Sequence, residues 1–339
     1  MGSSQYTAKK VMNGTTESSA PSEVPPEESG LRPAARSEVR TPLYEASNAA
    51  RYDRQLLVRE IQATTGRHLI AYVAGVEAAI DRDDTLGFAD LLHNVPAQVP
   101  VDLLLHTPGG DIDAAEKLVH MMRKRIGDAP LRVVVPDFAK SAGTLMALGS
   151  DAVVMSDTSE LGPIDPQIVR CDVNGNRIAH SIFNYLHAYE GLRAELAANP
   201  DSIPARMMLG KLDPETVKLF EAVRDRARSC AETFLKRWMF NKVPGNWSKL
   251  VSELLDVKRW QTHGQMISSD DARDLGLTVE YLSQNDALWS QYWRLYCRQR
   301  VAITPRQKLF ESDHVCLTLE AGGGGQAGSS DARGSSLAR

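Results

Sequence analysis

Short, continuously apolar segments alternate with segments of helical periodicity between residues 68 and 155, and this alternation constrains the fold most strongly. The apolar segments, which we predict to be strands, are 68–74, 101–105, 131–135 and 152–155. Continuous hydrophobicity is typical of strands that are covered on both faces. The segments with helical spacing between them are 84–94, 111–126 and 141–148. Strand–helix–strand alternation with short loops predicts right-handed βαβ units, a largely parallel sheet and therefore an α/β fold.

Composition divides the chain into a folded centre and two tails. Residues 1–47 are rich in Ser and Pro and lack apolar periodicity, so they cannot bury enough apolar surface to offset the entropy lost on ordering. We therefore predict a disordered N-terminal tail over 1–47 and a folded domain over 48–305. The pattern becomes mainly helical in the later part of that domain, which predicts a helical arm over about 176–260. The Gly- and Ser-rich end predicts a flexible tail over 306–339.

Charge and cysteine usage exclude several classes of protein. The chain has 39 Lys+Arg against 43 Asp+Glu, whereas a dedicated nucleic-acid-binding protein carries a basic excess. No apolar run reaches the ~18–20 residues of a membrane span, and the N-terminus lacks the apolar stretch of a secretory signal. The four cysteines are scattered, which excludes a disulfide scaffold and a cysteine-built zinc site. We expect a cytoplasmic protein that binds no nucleic acid and has no transmembrane segment. Peripheral association with a membrane is left open.

A glycine pair follows the second predicted strand, in the sequence HTPGGDI at 106–112. Gly109 and Gly110 allow positive φ and let the backbone approach a ligand, since no Cβ stands in the way. The N–H groups of the first turn of the following helix lack intrahelical partners and can face that ligand. A plain tight turn between a strand and a helix explains the same residues equally well.

A serine occupies the equivalent turn after the third predicted strand, in AKSAGT at 139–144. Because both turns follow parallel strands, both are expected at the carboxyl edge of the sheet, where α/β proteins bind ligands. At such an elbow the Ser141 hydroxyl is exposed while the N–H of the next residue stays free. An N-cap role for Ser141 is the alternative. The two turns, about thirty residues apart, predict backbone donors from two loops around one serine, which is the architecture of an oxyanion hole.

These two turns and their surroundings resemble a known group of proteins. The stretch LLLHTPGGDIDAAEKL…KSAGTLMALGSDAVVMSDTSELGPIDPQ, at 103–167, is similar to the Clp/crotonase superfamily. Within it, the chain is most similar to the serine dehydrogenase proteinase family, which is related to signal peptide peptidase-type serine proteases. The segment 262–277 resembles the short helix and Gly-Leu turn that close this fold. The resemblance covers about residues 55–285 and implies a Clp/crotonase-like spiral of βαβ units with a helical C-terminal arm.

The resemblance also implies serine peptidase activity and assigns residues to it. By position, Ser141 is the nucleophile, and the N–H groups of Gly110 and Ala142 form the oxyanion hole. Gly109 is expected to contact the substrate. The implied partner is a peptide or protein, and the sequence predicts no metal ion and no cofactor. Folds of this type commonly form homo-oligomers, and the Trp-rich C-terminal helices could supply such contacts.

The general base is harder to assign, because the residues that relatives use are missing. Clp-type proteases place a histidine about two dozen residues after the serine, and membrane relatives place a lysine some forty to fifty residues after it; this chain has neither. His263 is our first candidate, because it precedes the closing helix and a histidine titrates near neutral pH. A loop histidine that caps a carbonyl is the alternative.

Other candidates for a role in proton transfer are weaker. Asp165 lies near the position of the relatives' histidine, where it would orient a base or simply form a turn between two prolines. Lys140 adjoins Ser141, but neighbouring side chains usually point apart, so a solvated surface lysine is the alternative. Two histidines, His180 and His187, lie on a predicted helix, where a packing or surface role explains them as well.

Two other functions fit the same fold. A catalytically silent scaffold or binding protein would keep both turns and lack a base. A crotonase-type acyl-CoA enzyme would use the oxyanion hole without a nucleophile, but it needs a site for adenine and pantetheine that the sequence does not indicate. The GxGxxG turn of a dinucleotide-binding dehydrogenase is also absent from the sequence. The sequence therefore favours a serine peptidase.

Overall fold

The computed structural model describes residues 41–171, 177–241, 245–256, 259–260, 262 and 264–321. Its contacts divide the chain into two units, 1–46 and 47–339, and the sheet and the apolar clusters on its two faces belong to the second. The strands are β1 (His68–Ala74), β2 (Val101–His106), β3 (Leu131–Val134), β4 (Phe138–Ala139), β5 (Ala152–Met155), β6 (Glu160–Leu161), β7 (Gln167–Cys171), β8 (Arg177–Ser181), β9 (Val279–Tyr281), β10 (Gln307–Glu311) and β11 (Cys316–Glu320).

The helices precede, separate and follow these strands. They are α1 (Pro42–Thr65), α2 (Asp84–His93), α3 (Ile112–Ile126), α4 (Ala142–Leu148), α5 (Ile182–Ala198), α6 (Ile203–Leu209), α7 (Pro214–Phe234), α8 (Trp247–Leu254), α9 (Ser269–Asp274) and α10 (Ala287–Arg300). A π-helical turn, Leu235–Met239, extends α7. No helix of the described residues is both long enough and apolar enough to cross a bilayer.

One sheet of seven strands organises the domain, in the order β11-β10-β1-β2-β3-β5-β9. The five strands from β1 to β9 run parallel to one another, while β10 is antiparallel to β1 and β11 is antiparallel to β10. Two small pairs lie outside this sheet: parallel β4–β6 and antiparallel β7–β8. The parallel centre and the helices that follow it confirm the predicted α/β class with a helical region towards the C-terminus.

Both faces of the sheet are covered by helices, as the continuously apolar strands predict. Alternate residues of β1 enter opposite cores: Tyr72 packs with α2, α3, α4 and α7 on one face, and Val73 packs with α1 and α10 on the other. Asp111 caps α3 by accepting a hydrogen bond from the Ala114 N–H at 2.8 Å, and three basic residues occupy its last turn, where cations suit the helix dipole.

Three segments differ from the prediction. Helix α1 begins at Pro42, inside the predicted N-terminal tail, and proline is favoured in the first turn of a helix. The segment Arg177–Ser181, predicted as helix, pairs with the preceding strand β7 as strand β8, because pairing within this hairpin overrides helical periodicity. Residues 307–311 and 316–320, predicted as flexible tail, form strands β10 and β11.

Candidate active site

The two turns singled out in the sequence meet at the carboxyl edge of the sheet. The Thr107 N–H donates to the Phe138 carbonyl at 3.1 Å, and the Lys140 N–H donates to the Thr107 carbonyl at 3.1 Å. These bonds extend the β2–β3 edge as a short parallel bridge between Thr107 and Ala139. The glycine pair and the serine, separated in sequence, are therefore neighbours in space.

Gly109 is in direct contact with the serine turn. A Cβ on this residue would lie 2.6 Å from the Lys140 carbonyl oxygen and 2.9 Å from Ser141 Cβ, closer than real Cβ contacts come. Its φ is +98°, a conformation that side chains rarely adopt. Both facts require glycine at this position. A plain turn between a strand and a helix would not require this close packing against a serine.

Gly110 is fixed from the opposite side by a segment that the sequence analysis did not identify. The Ile80 N–H donates to the Gly109 carbonyl at 2.7 Å, and the Asp111 N–H donates to the Ile80 carbonyl at 2.9 Å. A Cβ on Gly110 would lie 2.3 Å from the Ile80 carbonyl oxygen, so this position also requires glycine. The loop before α2 thus forms the outer wall of the turn. No pattern in the sequence pointed to Ile80, because only backbone atoms make these bonds.

Ser141 stands at the N-cap position of α4 in a strained conformation. Its φ is +51° and its ψ −113°, and its side chain makes no capping hydrogen bond. The Ser141 side chain therefore does not cap α4, the alternative role considered from the sequence. Strained backbone at a non-glycine residue costs about 1–3 kcal/mol and is concentrated at functional sites. Ser141 retains 8% of its surface exposed and lies on a cleft.

Two backbone N–H groups of these turns have no hydrogen-bond partner among the described residues. Within the described part of the chain, neither the Gly110 N–H nor the Ala142 N–H donates a hydrogen bond. Ala142 is buried, where N–H groups are nearly always paired, whereas Gly110 is exposed at the cleft.

A cleft of about 700 Å³ opens in front of Ser141. Its walls are the glycine turn with the start of α3, the segment Pro166–Ile168, the start of α5 and the face of α7 that carries Ala222, Val223 and Arg226. Arg226 spans from α7 to α3 by pairing with Asp113 at 2.9 Å. The helical arm therefore supplies one wall of the cleft, a contribution that the sequence did not reveal.

Lys140 lies beside Ser141 in sequence, but its side chain points elsewhere. The ammonium is 3.0 Å from the Glu160 carboxylate. Three backbone carbonyls also accept hydrogen bonds from it: those of Leu161 at 3.2 Å, Gly264 at 3.4 Å and Gln265 at 3.4 Å. Only 9% of the residue is exposed, so it is not the solvated surface lysine considered as the alternative. Its contacts join β6 to the chain just after residue 263.

Asp165 is buried and engaged with the start of α5. Its Oδ1 accepts a hydrogen bond from Ser181 Oγ at 2.6 Å, and Ser181 in turn caps the helix at Asn184. Ser141 Oγ forms no hydrogen bond with Asp165, Lys140 or any other residue that the structure describes. His263 lies outside the described residues. His180 is exposed on β8, and His187 belongs to α5 at a different surface cleft.

The described residues contain no group of three or more His, Cys, Asp or Glu side chains positioned to hold a metal ion. The cleft is lined by Ser141 and by charged side chains that include Asp113 and Arg226.

Comparisons with known proteins identify similar sequences in an archaeon. An uncharacterized protein of Methanocaldococcus jannaschii, MJ0137, is 31% identical over 185 residues, which is 55% of this chain and 55% of that protein. A second uncharacterized protein of the same organism, MJ1495, is 27% identical over 232 residues, 66% of this chain and 70% of the relative. The chain thus spans about half the length of the first of these relatives.

Solved structures similar to this chain include proteases. One is a serine-to-alanine variant of the 1510-N membrane-bound stomatin-specific protease, 16% identical, with a TM-score of 0.38 over 65% of this chain and 81% of that one. Another is ClpP1 from Listeria monocytogenes, 13% identical, with a TM-score of 0.35 over 69% of this chain and 98% of that one.

A family model covers the part of the chain that contains both turns. Residues 58–188 match the model described as ClpP-like SDH-type serine proteinase. This range extends from α1 through the glycine turn and Ser141 to the beginning of α5. The match confirms the resemblance to the serine dehydrogenase-type proteinases that the two turns predicted.

Proposed function

We propose that this protein is a serine peptidase that cleaves peptide bonds at the cleft in front of Ser141. The observation that carries the proposal is the packing of Gly109 against Ser141, in two turns whose Gly110 and Ala142 N–H groups have no hydrogen-bond partner among the described residues. The family match supports the reaction class. Peptide or protein chains are the substrates that a cleft open to solvent at a sheet edge can accept.

In the proposed reaction, Ser141 Oγ attacks the carbonyl carbon of the scissile bond while a base takes its proton. The carbonyl electron pair moves onto oxygen, where the two N–H groups stabilise the negative charge. Collapse of this intermediate expels the amine, which receives the proton from the base, and leaves an ester on Ser141. Water then attacks the ester by the same path and releases the carboxylic acid.

We propose His263 as the base. Its successor, Gly264, places its carbonyl 3.4 Å from Lys140 Nζ, so the chain next to His263 passes close to the residue that precedes Ser141. Lys140, surrounded by four oxygen acceptors, holds that chain against β6 instead of acting on Ser141. Asp165, which accepts a hydrogen bond from Ser181, remains a candidate for orienting a base.

A fluorophosphonate probe tests the reaction class, because it labels only activated nucleophiles. We expect one label per chain on Ser141, none on Ser141→Ala, and a rate reduced by about 10²–10³ in Gly109→Ala, whose Cβ would displace the oxyanion turn. Gly191→Ala is the matched control, since nothing lies within 4 Å of the Cβ it adds. A folded wild type that takes no label would contradict the proposal and favour a silent scaffold; titration with acyl-CoA would then test the crotonase-type alternative.

Three variants separate the candidate bases by the same labelling rate. His263→Ala should slow labelling by about 10²–10⁴, the usual contribution of a general base. Asp165→Asn should slow it less. Lys140→Arg keeps the positive charge that pairs with Glu160 but cannot act as a base, because a guanidinium does not accept a proton at neutral pH. A lysine whose role is only to hold the chain can be replaced in this way without slowing the reaction. Normal labelling of Lys140→Arg is therefore expected, and its loss would make Lys140 the base.

We also propose a cytoplasmic homo-oligomer. Of the tryptophans in the C-terminal half, Trp238, Trp260 and Trp289 are buried, while Trp293 on α10 is 36% exposed and is available for a contact. Exposed apolar side chains also lie on α6, where Ile203 and Met207 are 67% and 64% exposed and one turn apart. Sedimentation velocity at several concentrations checks the assembly state, and a single monomeric species throughout would contradict it.

A further inference from the structure

A buried ion cluster lies directly behind the glycine turn. Lys308, on β10, places its ammonium 2.8 Å from Asp84 Oδ1 and 2.8 Å from Asp81 Oδ2. The side chains of Lys308 and Asp84 are 2% and 1% exposed, whereas that of Asp81 is 37% exposed. Burying charges is costly unless they are well paired, and apolar side chains often stabilise such positions as well. The cluster therefore invites an explanation beyond stability.

Hydrogen bonds extend the cluster to the aromatic core. Asp84 Oδ2 accepts from the Tyr72 hydroxyl at 2.9 Å and from the Asp81 N–H at 2.9 Å. Burial raises the pKa of Asp84, and the hydrogen bond from Lys308 opposes that rise. Every oxygen of the Asp84 carboxylate is thus bound, which fixes the backbone at Asp81 relative to the sheet.

The backbone that the cluster fixes is the one that orients the glycine turn. Ile80 immediately precedes Asp81, and its N–H holds the Gly109 carbonyl at 2.7 Å. In a trans peptide the carbonyl and the following N–H point in opposite directions, so this bond turns the Gly110 N–H away from Ile80. Gly109 and Gly110 have φ values of +98° and +151°, and glycine can rotate such a peptide at little steric cost. The bond to Ile80 is what selects one orientation.

A second connection reaches the same turn from within the sheet. The Gly109 N–H donates to Thr107 Oγ1 at 3.1 Å. Burial and Asp84 raise the pKa of the Tyr72 phenol, and a hydrogen bond with Thr107 acts in the opposite direction, so Tyr72 lies between the cluster and Thr107. The peptide before Gly109 is thus held by Thr107, and the peptide after it is held by Ile80.

We propose that Lys308, Asp84 and Asp81 form a positioning unit that keeps the Gly110 N–H directed towards the Ser141 cleft. Lys308 is the positioning residue, since it neutralises and holds both carboxylates from strand β10, none of whose residues lines the cleft. This inference rests on the proposed function, because an oriented donor matters only where negative charge develops. Loss of Lys308 leaves the nucleophile in place and allows the Gly109–Gly110 peptide to rotate.

Lys308→Met tests the unit through the kinetics of fluorophosphonate labelling. Two quantities are measured: the second-order rate constant and the fraction of chains labelled at completion. We expect the rate constant to fall at least about tenfold while the labelled fraction stays near that of the wild type, since a donor, not the nucleophile, is displaced. A purely structural role would lower the labelled fraction and leave the rate constant of the folded molecules unchanged.

Glu311→Gln is the matched control. Glu311 lies on the same strand and pairs with Arg54 at 2.9 Å, with side chains 0% and 7% exposed, but it has no contact with the glycine turn. We expect this variant to lose stability and to keep the labelling rate constant within twofold of the wild type. Equal rate constants for Lys308→Met and Glu311→Gln would overturn the inference.

Asp81→Asn provides the test should Lys308→Met fail to fold, because its side chain is partly exposed and the change keeps its shape. The change removes the charge through which Lys308 holds Asp81, the residue after Ile80. We expect the rate constant of labelling to fall about tenfold. A wild-type rate constant in Asp81→Asn would overturn the inference. Absence of labelling in the wild type itself would instead contradict the proposed function, so the two failures are distinguishable.

Discussion

Ser141 has a strained backbone and a hydroxyl that lies on the cleft, and stability alone would not select this strain. Its φ of +51° with a ψ of −113° belongs to the region that glycine occupies readily and other residues avoid. The conformation is maintained by the helix that follows, where the Leu145 N–H donates to the Ser141 carbonyl at 3.1 Å, and by the Gly143 N–H, which donates to the Lys140 carbonyl at 2.7 Å. The strain is therefore held by α4, and it keeps the hydroxyl on the cleft.

Ser141→Gly should consequently stabilise the protein and abolish labelling. Relief of the strain contributes about 1–3 kcal/mol, and the greater freedom of glycine in the unfolded chain offsets about 0.5–1 kcal/mol of it. We expect the free energy of unfolding to rise by about 1 kcal/mol, measured by urea denaturation. Ser141→Ala, which loses the hydroxyl and keeps the strained Cβ, is the control and should not gain this stability. Equal stability of the two variants would mean that the backbone is not strained.

The sequence indicates the residues whose chemistry is local and misses those whose partners are distant. Ser141 and Gly110 were found because each sits in a short turn after an apolar strand. The ion pair of Lys140 with Glu160 joins residues twenty positions apart through a bridge that no periodicity predicts. Ile80 acts through its backbone alone, so no residue type marks its role.

At the scale of elements, the parallel strands β1, β2, β3 and β5 were predictable, and the antiparallel strands β10 and β11 were not. Strand β1 has the predicted bounds 68–74, because a strand covered on both faces is apolar throughout. The sequence of strand β10 is polar, since Lys308 and Glu311 occupy two of its five positions. Both side chains are nevertheless buried, and each forms an ion pair. Composition cannot distinguish a paired buried charge from a solvated one, and the predicted tail began too early for this reason.

Shortened chains test whether strands β10 and β11 are needed for stability and the residues after them are not. Phe310 is fully buried, with its ring 5.1 Å from that of Tyr72 and 6.0 Å from that of Phe88. We expect a chain that ends at Arg306 to aggregate or unfold, because it loses this packing and leaves the edge of β1 unpaired.

The comparison for that truncation is a chain that ends at Ala321. Residues 322–339 lie outside the described residues. The free energy of unfolding of this chain should stay within about 0.5 kcal/mol of that of the full protein. Thermal melts by circular dichroism check both chains. A cooperative melt of the chain ending at Arg306 at the full-length temperature would show that the two strands are dispensable.

At the scale of the whole molecule, two cores share one sheet, and the cleft lies at its edge. His106 ends β2 on the face covered by α10, where its ring lies 4.0 Å from that of Phe138 and its Nδ1 is 3.2 Å from the Tyr296 hydroxyl. Its Nε2 is buried and has no hydrogen-bond partner among the described residues. The residue that precedes the glycine turn is therefore held as a neutral imidazole, in an environment that opposes a second proton.

This environment predicts a loss of stability in acid. Burial, with a contribution from Arg300, lowers the pKa of His106 from 6.5 to about 3. Between those values the unfolded chain binds a proton that the folded chain does not, so the free energy of unfolding falls as the pH falls, by about 1.4 kcal/mol per pH unit from this group. His106→Leu removes the effect and costs a hydrogen bond, so the pH slope, not the absolute stability, is compared. Urea denaturation from pH 6.5 to pH 5 should show a decrease about 2 kcal/mol larger in the wild type than in the variant. Parallel curves would mean that the imidazole takes up its proton in the folded state, and that the face of the sheet behind the glycine turn is open to water.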